Sequence, residues 1–256
     1  MFNSVRWKFR EHSDLAIYGV GHSIVRDFIS YNYRKSQYKY WCELPGQLAA
    51  LKGFKFSENT PSTALREIFP EEIYNVEGFK PENGQTVVDV GANYGDSSIW
   101  WAKTFGCKVV AFEPLVNVFN VLVENIKLNN ADVIAHNLAL GNGDDIIGRS
   151  DGNMFSSGGD VKIRSAKLDS YSFESVDLLK IDVEGFEMDV LEGAENTIRR
   201  FKPRIIIETH SKDLRKRCHA FLSSLGYSLQ VEGRTVTSKM PGMDRVTNLF
   251  YSFQAR

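Results

Sequence analysis

The sequence predicts an α/β protein with a doubly wound, mostly parallel sheet, closed by an antiparallel edge strand and preceded by an N-terminal helical extension. Short apolar runs that end in glycine or acidic residues alternate with segments of helical period, as in β-α-β units. The last two apolar runs, 227–231 and 248–253, have no helix between them, which indicates the antiparallel strand. We place the boundary between the extension and the main domain at residues 80 and 81.

Composition limits the class of protein. With 256 residues and 43% hydrophobic side chains, the chain can form one α/β domain of ordinary size with an extension. A net charge of −1 and a pI near 6.5 argue against a domain-wide surface for nucleic acid. Cys42, Cys107 and Cys218 are far apart, which is typical of reduced thiols. No apolar run reaches membrane-spanning length, so we expect a cytoplasmic protein without a membrane partner.

The first 55 residues are rich in rings and cations and are predicted to be helical. In residues 28–41 rings alternate with cations, which suits a surface for stacking bases or sugars. Packing of the rings on one helical face explains the same pattern and is the favoured interpretation. Further along, Thr60 is predicted to cap a helix that has Pro61 at its first position and continues to Phe69.

A glycine loop, residues 91–95, lies between an apolar strand at 87–90 and a helix that begins near Ser97. Gly91 and Gly95 lack a Cβ, so the backbone can adopt positive φ and approach a ligand closely. Asn93, between them, tolerates the left-handed conformation better than most residues. Tight packing explains one such turn equally well, so its surroundings decide its meaning.

Glu113 decides how the glycine loop is interpreted. It ends the second strand, 108–112, about twenty residues beyond the glycine loop, where nucleoside-binding units place an acid that accepts both ribose hydroxyls. One carboxylate has two acceptor oxygens and can bind a vicinal diol. Loop, strand and acid together predict an adenosyl ligand.

The later part of the chain continues the alternation of strands and helices. Residues 141–160 are loop-like with a candidate strand at 144–148, and a loop over the ligand and a surface excursion are equally compatible with them. We interpret the cations Lys212, Arg215, Lys216 and Arg217 as a solvated helix face. The predicted elements are helix 116–130, strand 133–135 extending to 138–140, strand 161–168, strand 176–181, helix 186–200, strand 202–207 and helix 213–225.

Polar side chains follow the fourth and fifth of the main strands. Asp182 and Glu184 come after one, and Glu208 and His210 after the next. Ligands of open parallel sheets bind outside the carboxyl ends of the strands, so we expect these side chains to share a crevice with Asp89 and Glu113.

The glycine spacing favours a particular adenosyl ligand. A pyrophosphate needs a third glycine, which is absent, and Asp89 lies just before the loop, where it suits the ammonium and sulfonium of a cationic ligand. The segment 89–95 resembles the first motif of class I S-adenosylmethionine-dependent methyltransferases.

The resemblance is closer to FkbM-type methyltransferases. It implies the Rossmann-like class I methyltransferase fold, S-adenosyl-L-methionine as cofactor, and O-methylation of a hydroxyl on a sugar or other small acceptor. Residues 88–96 and 179–187 are the most specific segments. The segments that carry it are 88–96, 112–114, 137–141, 168–171, 179–187 and 207–210.

Residues and resemblance together give the predicted site. His210 is the first candidate base because its ordinary pKa is near neutrality, and Asp182 and Glu208 are the other two. We expect no metal, although Glu184, Glu208 and His210 are candidate ligands for one. The extension, 1–80, is a candidate acceptor-binding cap. The predicted cofactor-binding residues are Asp89, Gly91, Ala92, Asn93, Tyr94, Gly95, Glu113, Pro114, Ala139 and Asp182.

Three other functions stay open at this point. A nicotinamide oxidoreductase shares the strand, loop and ribose acid. A nucleic-acid methyltransferase would use the basic clusters at 31–41 and 215–217. An adenosyl sensor would bind the cofactor without transferring its methyl group.

Overall fold

The computed structural model describes residues 43–150, 155–157, 159–233 and 247–254. The region predicted to be helical, 1–55, lies outside these ranges except at its end, where helix α1 spans Leu44–Leu51. The ring and cation pattern of residues 28–41 also lies outside the described residues.

The other elements follow the predicted alternation, and the second strand has the predicted bounds. The helices are α2 Asp96–Phe105, α3 Val116–Asn129, α4 Glu187–Gly193, α5 Glu195–Phe201 and α6 Lys212–Ser224, with 3-10 helices at Ser62–Leu65 and Leu168–Ser170. The strands are β1 Thr86–Val90, β2 Lys108–Phe112, β3 Val133–His136, β4 Ala139–Leu140, β5 Ile146–Ser150, β6 Phe155–Ser157, β7 Val161–Ile163, β8 Ser165–Ala166, β9 Leu178–Ile181, β10 Arg204–Thr209, β11 Tyr227–Gly233 and β12 Thr247–Phe253.

The main sheet has seven strands in the order β11-β12-β10-β9-β1-β2-β3. The neighbours from β10 to β3 pair in parallel, and β12 pairs antiparallel with both β10 and β11. The predicted fold class is therefore confirmed. The strand that reverses direction, β12, lies one position inside the edge that β11 forms.

Both faces of the sheet are buried, which explains why the central strands are apolar throughout. Val88 and Leu179 face one core cluster, which contains residues of α4, α5 and α6. Their neighbours Val87 and Leu178 face a second cluster, with residues of α1, α2 and the segment before β1. Successive strand residues point to opposite faces, so burial on both sides requires a continuous apolar run.

The helix predicted from Thr60 to Phe69 is wrong beyond one turn. The chain forms a 3-10 helix at Ser62–Leu65, followed by turns. Thr60 makes no capping bond to it, because its Oγ1 accepts a hydrogen bond of 2.8 Å from Asn125 on α3. The local sequence pattern predicts that the Thr60 hydroxyl caps a helix, but in the structure this hydroxyl makes a long-range contact instead.

The predicted extension of β3 through residue 140 is also wrong. The chain turns after His136, and β4 pairs in parallel with β8 instead of continuing β3. Asn137 fixes this turn by donating from Nδ2 to the carbonyl oxygens of Glu113 and Pro114, at 2.9 and 3.0 Å. Beyond β4, the loop-like segment and β7 form a three-stranded antiparallel sheet, β6-β5-β7. The single strand predicted at 161–168 is therefore wrong, because β8 leaves this sheet to pair with β4.

The single helix predicted at 186–200 is two helices, α4 and α5, that meet at Ala194. Asp169 accepts hydrogen bonds from the main-chain amides of Asn196 and Thr197 at 3.0 and 2.7 Å, and so caps the second helix. Gly193 lies against the backbone of Gly141, where a Cβ would come within 1.8 Å of the carbonyl oxygen. The close approach explains why residue 193 is a glycine, and Asp169 starts the second helix.

Candidate active site

Four parallel strands end at one edge of the sheet, where the predicted site residues come together. The last residue of β1 pairs with the last residues of both β2 and β9. Gly91, Glu113 and Asp182, which follow these three strands, therefore emerge side by side. Strand β10 pairs with β9 and brings Glu208 and His210 to the same edge. The predicted crevice is present.

The glycine loop has the backbone conformation that its sequence predicts. Gly91, Asn93 and Gly95 have φ values of 79°, 49° and 86°. A Cβ on Gly91 would lie 1.8 Å from the carbonyl oxygen of Asp182, so only glycine fits between β1 and β9 at this point. Helix α2 begins directly behind the loop at Asp96.

Glu113 connects the glycine loop to the second strand. Its Oε2 accepts a hydrogen bond of 3.0 Å from the main-chain amide of Asn93, and its Oε1 accepts one of 2.9 Å from the amide of Leu115. Burial raises the pKa of Glu113 to about 7, although both amide hydrogen bonds oppose the change. Each carboxylate oxygen has a second lone pair, so the group can still accept the two hydroxyls of a ribose.

An open pocket of about 700 Å³, its solvent-facing mouth included, lies over this edge of the sheet. Its apolar wall is partly formed by Ile146 of β5, which comes from the loop-like segment of the sequence. The predicted residues that line the pocket are Gly91, Asn93, Glu113, Pro114, Ala139, Asp182 and Glu184. Three of these seven are carboxylates, so the polar part of the wall is acidic.

Asp89 lies beneath the pocket and is fully buried. Its Oδ2 accepts hydrogen bonds from the hydroxyls of Ser97 and Ser98 in the first turn of α2, at 2.7 and 2.6 Å. Its Oδ1 is 3.2 Å from the ammonium of Lys180. In this structure, Asp89 stabilises the start of the helix and the base of the loop.

Asp182, Glu184 and Glu208, which we term the acid edge, surround the imidazole of His210. The Nε2 of His210 is 3.3 Å from Glu184, 3.6 Å from Glu208 and 3.8 Å from Asp182. On the other side of the ring, Nδ1 is 2.6 Å from Oε1 of Glu187, which is fully buried. The ring therefore has carboxylates at both nitrogens.

This environment determines the charge of His210. Burial alone would lower its pKa, but the hydrogen bond with Glu187 and the charges of the acid edge raise it to about 10. The imidazole is therefore protonated at neutral pH and cannot accept a proton in this state. Burial and the neighbouring charge of Asp182 raise the pKa of Glu208 well above its ordinary value, so this carboxyl holds a proton more readily than an exposed one.

Two carboxyls that the sequence did not single out extend the acidic region. Burial raises the pKa of Glu67 to about 7 and that of Asp96 to about 8. The charge of Asp182 adds to the shift at Glu67, and the ammonium of Lys180 opposes both shifts. The site thus contains more acidic groups than cations.

Within the described part of the chain, one group of side chains has the geometry to ligate a cation. Ligand atoms of Asp182, Glu208 and His210 all lie within 4.8 Å of one another. The Nε2 of His210 that faces these carboxylates carries the proton of the imidazolium, so a cation and that proton would compete for one place. The expectation of a metal-free site stays a prediction.

Comparison with known proteins identifies the family. Residues 89–229, more than half of the chain, match the model of the methyltransferase FkbM domain. The chain belongs to the FkbM methyltransferase family. This match covers the glycine loop, Glu113, the acid edge and His210, and the predicted family is confirmed.

Curated relatives of this FkbM-family chain include two fungal methyltransferases. Methyltransferase 1 of Beauveria bassiana is 25% identical over 65% of this chain and 81% of its own length. Methyltransferase sdnD of Sordaria araneosa is 25% identical over 64% of this chain and 81% of its own. The AMB antimetabolite synthetase AmbE of Pseudomonas aeruginosa is 27% identical over 60% of this chain, which spans only 10% of that protein.

Solved structures support the fold. Methyltransferase FkbM from Methylobacillus flagellatus superposes with a TM-score of 0.52 at 17% identity, over 89% of this chain and 59% of that one. A putative RNA methyltransferase from Pyrococcus horikoshii gives 0.50 at 16% identity, over 82% and 98%. Family and fold imply S-adenosylmethionine as methyl donor. Among the described helices, none is long and apolar enough to cross a membrane.

The structure separates the predicted site residues of the methyltransferase into two groups. Seven of them line the pocket. Ala92, Tyr94 and Gly95 belong to the glycine loop but do not line the pocket, and Asp89 is buried beneath it. Glu208 and His210 lie behind Asp182 and Glu184. The main-chain carbonyl of Tyr94 accepts a hydrogen bond from Asn125, which ties the loop to α3. Contact of these six residues with a ligand stays a prediction.

Sequence reasoning missed Lys180 and Glu187. Lys180 lies within the apolar run of β9 and is 3% exposed, and Glu187 lies at the start of α4. A lysine inside a run of buried strand residues is itself a signal, because an unpaired ammonium is rarely buried. No comparable signal distinguishes Glu187, since acidic residues are common in the first turn of a helix.

Proposed function

We propose that this chain is an S-adenosylmethionine-dependent O-methyltransferase that acts on a hydroxyl of a sugar or another small molecule. The observation that carries the proposal is the acidic wall of the pocket. Glu113 sits at the glycine loop, and Asp182 and Glu184 sit across from it. A sulfonium and an ammonium suit carboxylates, whereas the pyrophosphate of a dinucleotide would be repelled by them.

Each part of the pocket has a role in binding the donor. Glu113 accepts the ribose hydroxyls while its hydrogen bond with Asn93 keeps the glycine loop in place. Gly91 lets the backbone approach the donor, and Asp182 favours its cationic end. Bound S-adenosylmethionine supplies an electrophilic methyl: the oxygen–carbon bond forms as the sulfur–carbon bond breaks, and sulfur keeps the electron pair.

The acceptor hydroxyl must lose its proton during the transfer, and we assign this proton to Glu208. In its ionised form Glu208 is a better proton acceptor than an exposed carboxylate because its pKa is raised, and Asn248 orients it through a hydrogen bond of 2.7 Å to Oε2. Asp182 is the alternative base. His210, as an imidazolium, stabilises the negative charge that the acid edge concentrates.

Two other functions are disfavoured by particular contacts. The acidic pocket argues against a nicotinamide enzyme. A nucleic-acid methyltransferase needs free cations, but Arg215 makes two hydrogen bonds of 2.8 and 2.6 Å to Glu232, and Arg217 is 3.9 Å from Asp213. We retain residues 1–80 as a candidate acceptor-binding cap.

The test is a search for the acceptor with methyl-labelled S-adenosylmethionine. The panel contains sugars, aliphatic and phenolic alcohols, primary amines and total RNA, and mass spectrometry detects labelled product and S-adenosylhomocysteine. We expect labelled ether from a hydroxyl compound and loss of turnover in Glu208→Gln. Label on nitrogen, or on RNA alone, would contradict O-methylation of a small molecule.

A further inference from the structure

Lys180 is a buried cation to which the predicted reaction assigned no role. It is the third residue of β9, and its side chain is 4% exposed. An ammonium in such a position is stable only when its three hydrogens have partners. Its Nζ is 2.8 Å from the carbonyl oxygen of Gly91, 3.2 Å from Oδ1 of Asp89 and 3.5 Å from Oδ2 of Asp182.

These three partners belong to different parts of the donor pocket. Gly91 is the first residue of the glycine loop and Asp182 forms part of the acidic wall. Asp89 lies beneath both and holds the first turn of α2 through Ser97 and Ser98. One ammonium therefore connects the loop, the wall and the helix start.

The contact with Lys180 helps to fix the orientation of the Asp182 carboxylate. Lys180 lies at one oxygen, Oδ2, and His210 at the other, Oδ1, at 3.5 and 3.8 Å. Two cations on opposite sides of one carboxylate hold its plane in a single orientation. The side chain of Asp182 is 24% exposed and lines the pocket, so the oriented carboxylate faces the ligand.

We propose that Lys180 is a positioning residue for the methyl donor, which fixes the Gly91 carbonyl and orients Asp182 toward the donor's sulfonium. The inference rests on the proposed use of S-adenosylmethionine. A simpler role would be to neutralise the buried charge of Asp89. The two roles differ in what happens when the lysine and that charge are removed together.

The preference of the protein for S-adenosylmethionine over S-adenosylhomocysteine distinguishes the two roles. It should not change if Lys180 only neutralises the charge of Asp89. S-adenosylmethionine carries a positive sulfur and S-adenosylhomocysteine a neutral one. An oriented Asp182 favours the cation, so the ratio of the two dissociation constants reports on this orientation.

The experiment compares wild type, Lys180→Met, Asp89→Asn and the double variant Lys180→Met/Asp89→Asn. Melting temperature reports on the fold, and calorimetric titration gives the affinities for S-adenosylmethionine and S-adenosylhomocysteine. We expect Lys180→Met to lose stability, because Asp89 is left as an unpaired buried charge. The double variant removes that charge and should regain most of the stability.

The affinities of the double variant decide between the roles. We expect its affinity for S-adenosylmethionine to stay about tenfold or more below both wild type and Asp89→Asn, with a reduced preference over S-adenosylhomocysteine. An affinity and preference equal to those of Asp89→Asn would overturn the inference. Wild-type affinity and preference in the double variant would overturn the inference. If the double variant does not fold, Asp182→Asn at the partly exposed partner replaces it, and an unchanged ligand preference there would also overturn the inference.

Failure of the inference differs from failure of the proposed function. Wild-type protein that does not bind S-adenosylmethionine contradicts the function itself. Wild-type protein that binds it, together with a double variant that binds it equally well, contradicts only the role of Lys180.

Discussion

The main-chain amide of Asn93 donates a hydrogen bond of 3.0 Å to Oε2 of Glu113. This contact joins the glycine loop after β1 to the acid after β2, twenty positions apart in the chain. The same carboxylate therefore shapes the loop and faces the ligand.

Replacement of Glu113 by alanine should weaken binding of S-adenosylmethionine by tenfold or more, or about 1.4 kcal/mol, because the ribose loses its acceptor and the loop loses its tie. Calorimetric titration measures the change. Glu192→Ala, at an exposed acid of α4, is the matched control and should bind as wild type does. Unchanged affinity in Glu113→Ala would remove this residue from the ribose site.

The affinity for S-adenosylmethionine should depend on pH near neutrality. The pKa of Glu113 is raised to about 7, and ribose hydroxyls donate best to the ionised carboxylate. Binding should therefore be roughly tenfold weaker at about pH 6 than at about pH 8. Glu67 titrates in the same range, so Glu113→Gln should reduce the pH dependence of the affinity rather than remove it. A flat wild-type profile would contradict this assignment.

The raised pKa of Glu113 also predicts how the stability of the protein depends on pH. A carboxyl whose folded pKa lies above its unfolded value contributes stability below the unfolded pKa and loses it as pH rises through the folded pKa. The free energy of unfolding of wild type relative to Glu113→Gln should therefore fall between about pH 4.5 and pH 7 in the absence of ligand.

Gly91→Ala should disrupt the pocket. Its Cβ would lie 1.8 Å from the carbonyl oxygen of Asp182, so β1 and β9 must separate at the site. Gly84→Ala is a close control, since Gly84 has φ of 80° against 79° for Gly91 and open space around its missing Cβ. In the control, only the strain of alanine at positive φ should lower the free energy of unfolding, by about 1 kcal/mol, and S-adenosylmethionine should bind normally. If Gly91→Ala and Gly84→Ala changed melting temperature and binding equally, the close approach of residue 91 to the carbonyl oxygen of Asp182 would be unimportant.

His210 should stay protonated well above neutral pH. Its pKa is raised to about 10 from 6.5, so the stability that it contributes is complete below about pH 6.5 and is lost as pH rises through 10. The free energy of unfolding of wild type relative to His210→Gln should fall by about 1 kcal/mol or more between pH 7 and pH 10.5. His136→Gln is the control, because burial lowers the pKa of His136 and its contribution changes only on the acid side. A constant difference for His210 would restore it as a candidate base.

Methyl transfer should not require a divalent cation. Once an acceptor is known, the rate should be unchanged after dialysis against a chelator and after addition of Mg²⁺, Mn²⁺ or Zn²⁺. A rate that falls with the chelator and recovers with one cation would reassign Asp182, Glu208 and His210 as metal ligands, whose atoms lie within 4.8 Å of one another.

The sequence was informative where local pattern and tertiary structure agree. The apolar runs predict β1, β2, β9 and β10 because strands buried on both faces need continuous apolar residues. The acids after those runs were predicted to share an edge because parallel strands in one sheet end together. Fold class and crevice follow from this agreement, whereas the family follows from the resemblance of segments such as 88–96 and 179–187 to FkbM-type methyltransferases.

The errors arose where a distant contact decides the local structure. Thr60 bonds to Asn125 rather than capping a helix, and Asp169 starts a new helix after Ala194. The assignment of His210 as base rests on its ordinary pKa and stays a prediction, although three carboxylates at Nε2 and Glu187 at Nδ1 raise that pKa. No pattern within one segment encodes these partners.

The most direct test of the account is calorimetric titration of the wild-type protein with S-adenosylmethionine and, separately, with NAD. The acidic pocket predicts a one-to-one complex with S-adenosylmethionine and no detectable heat with NAD under the same conditions. Tight binding of NAD without binding of S-adenosylmethionine would contradict the central claim.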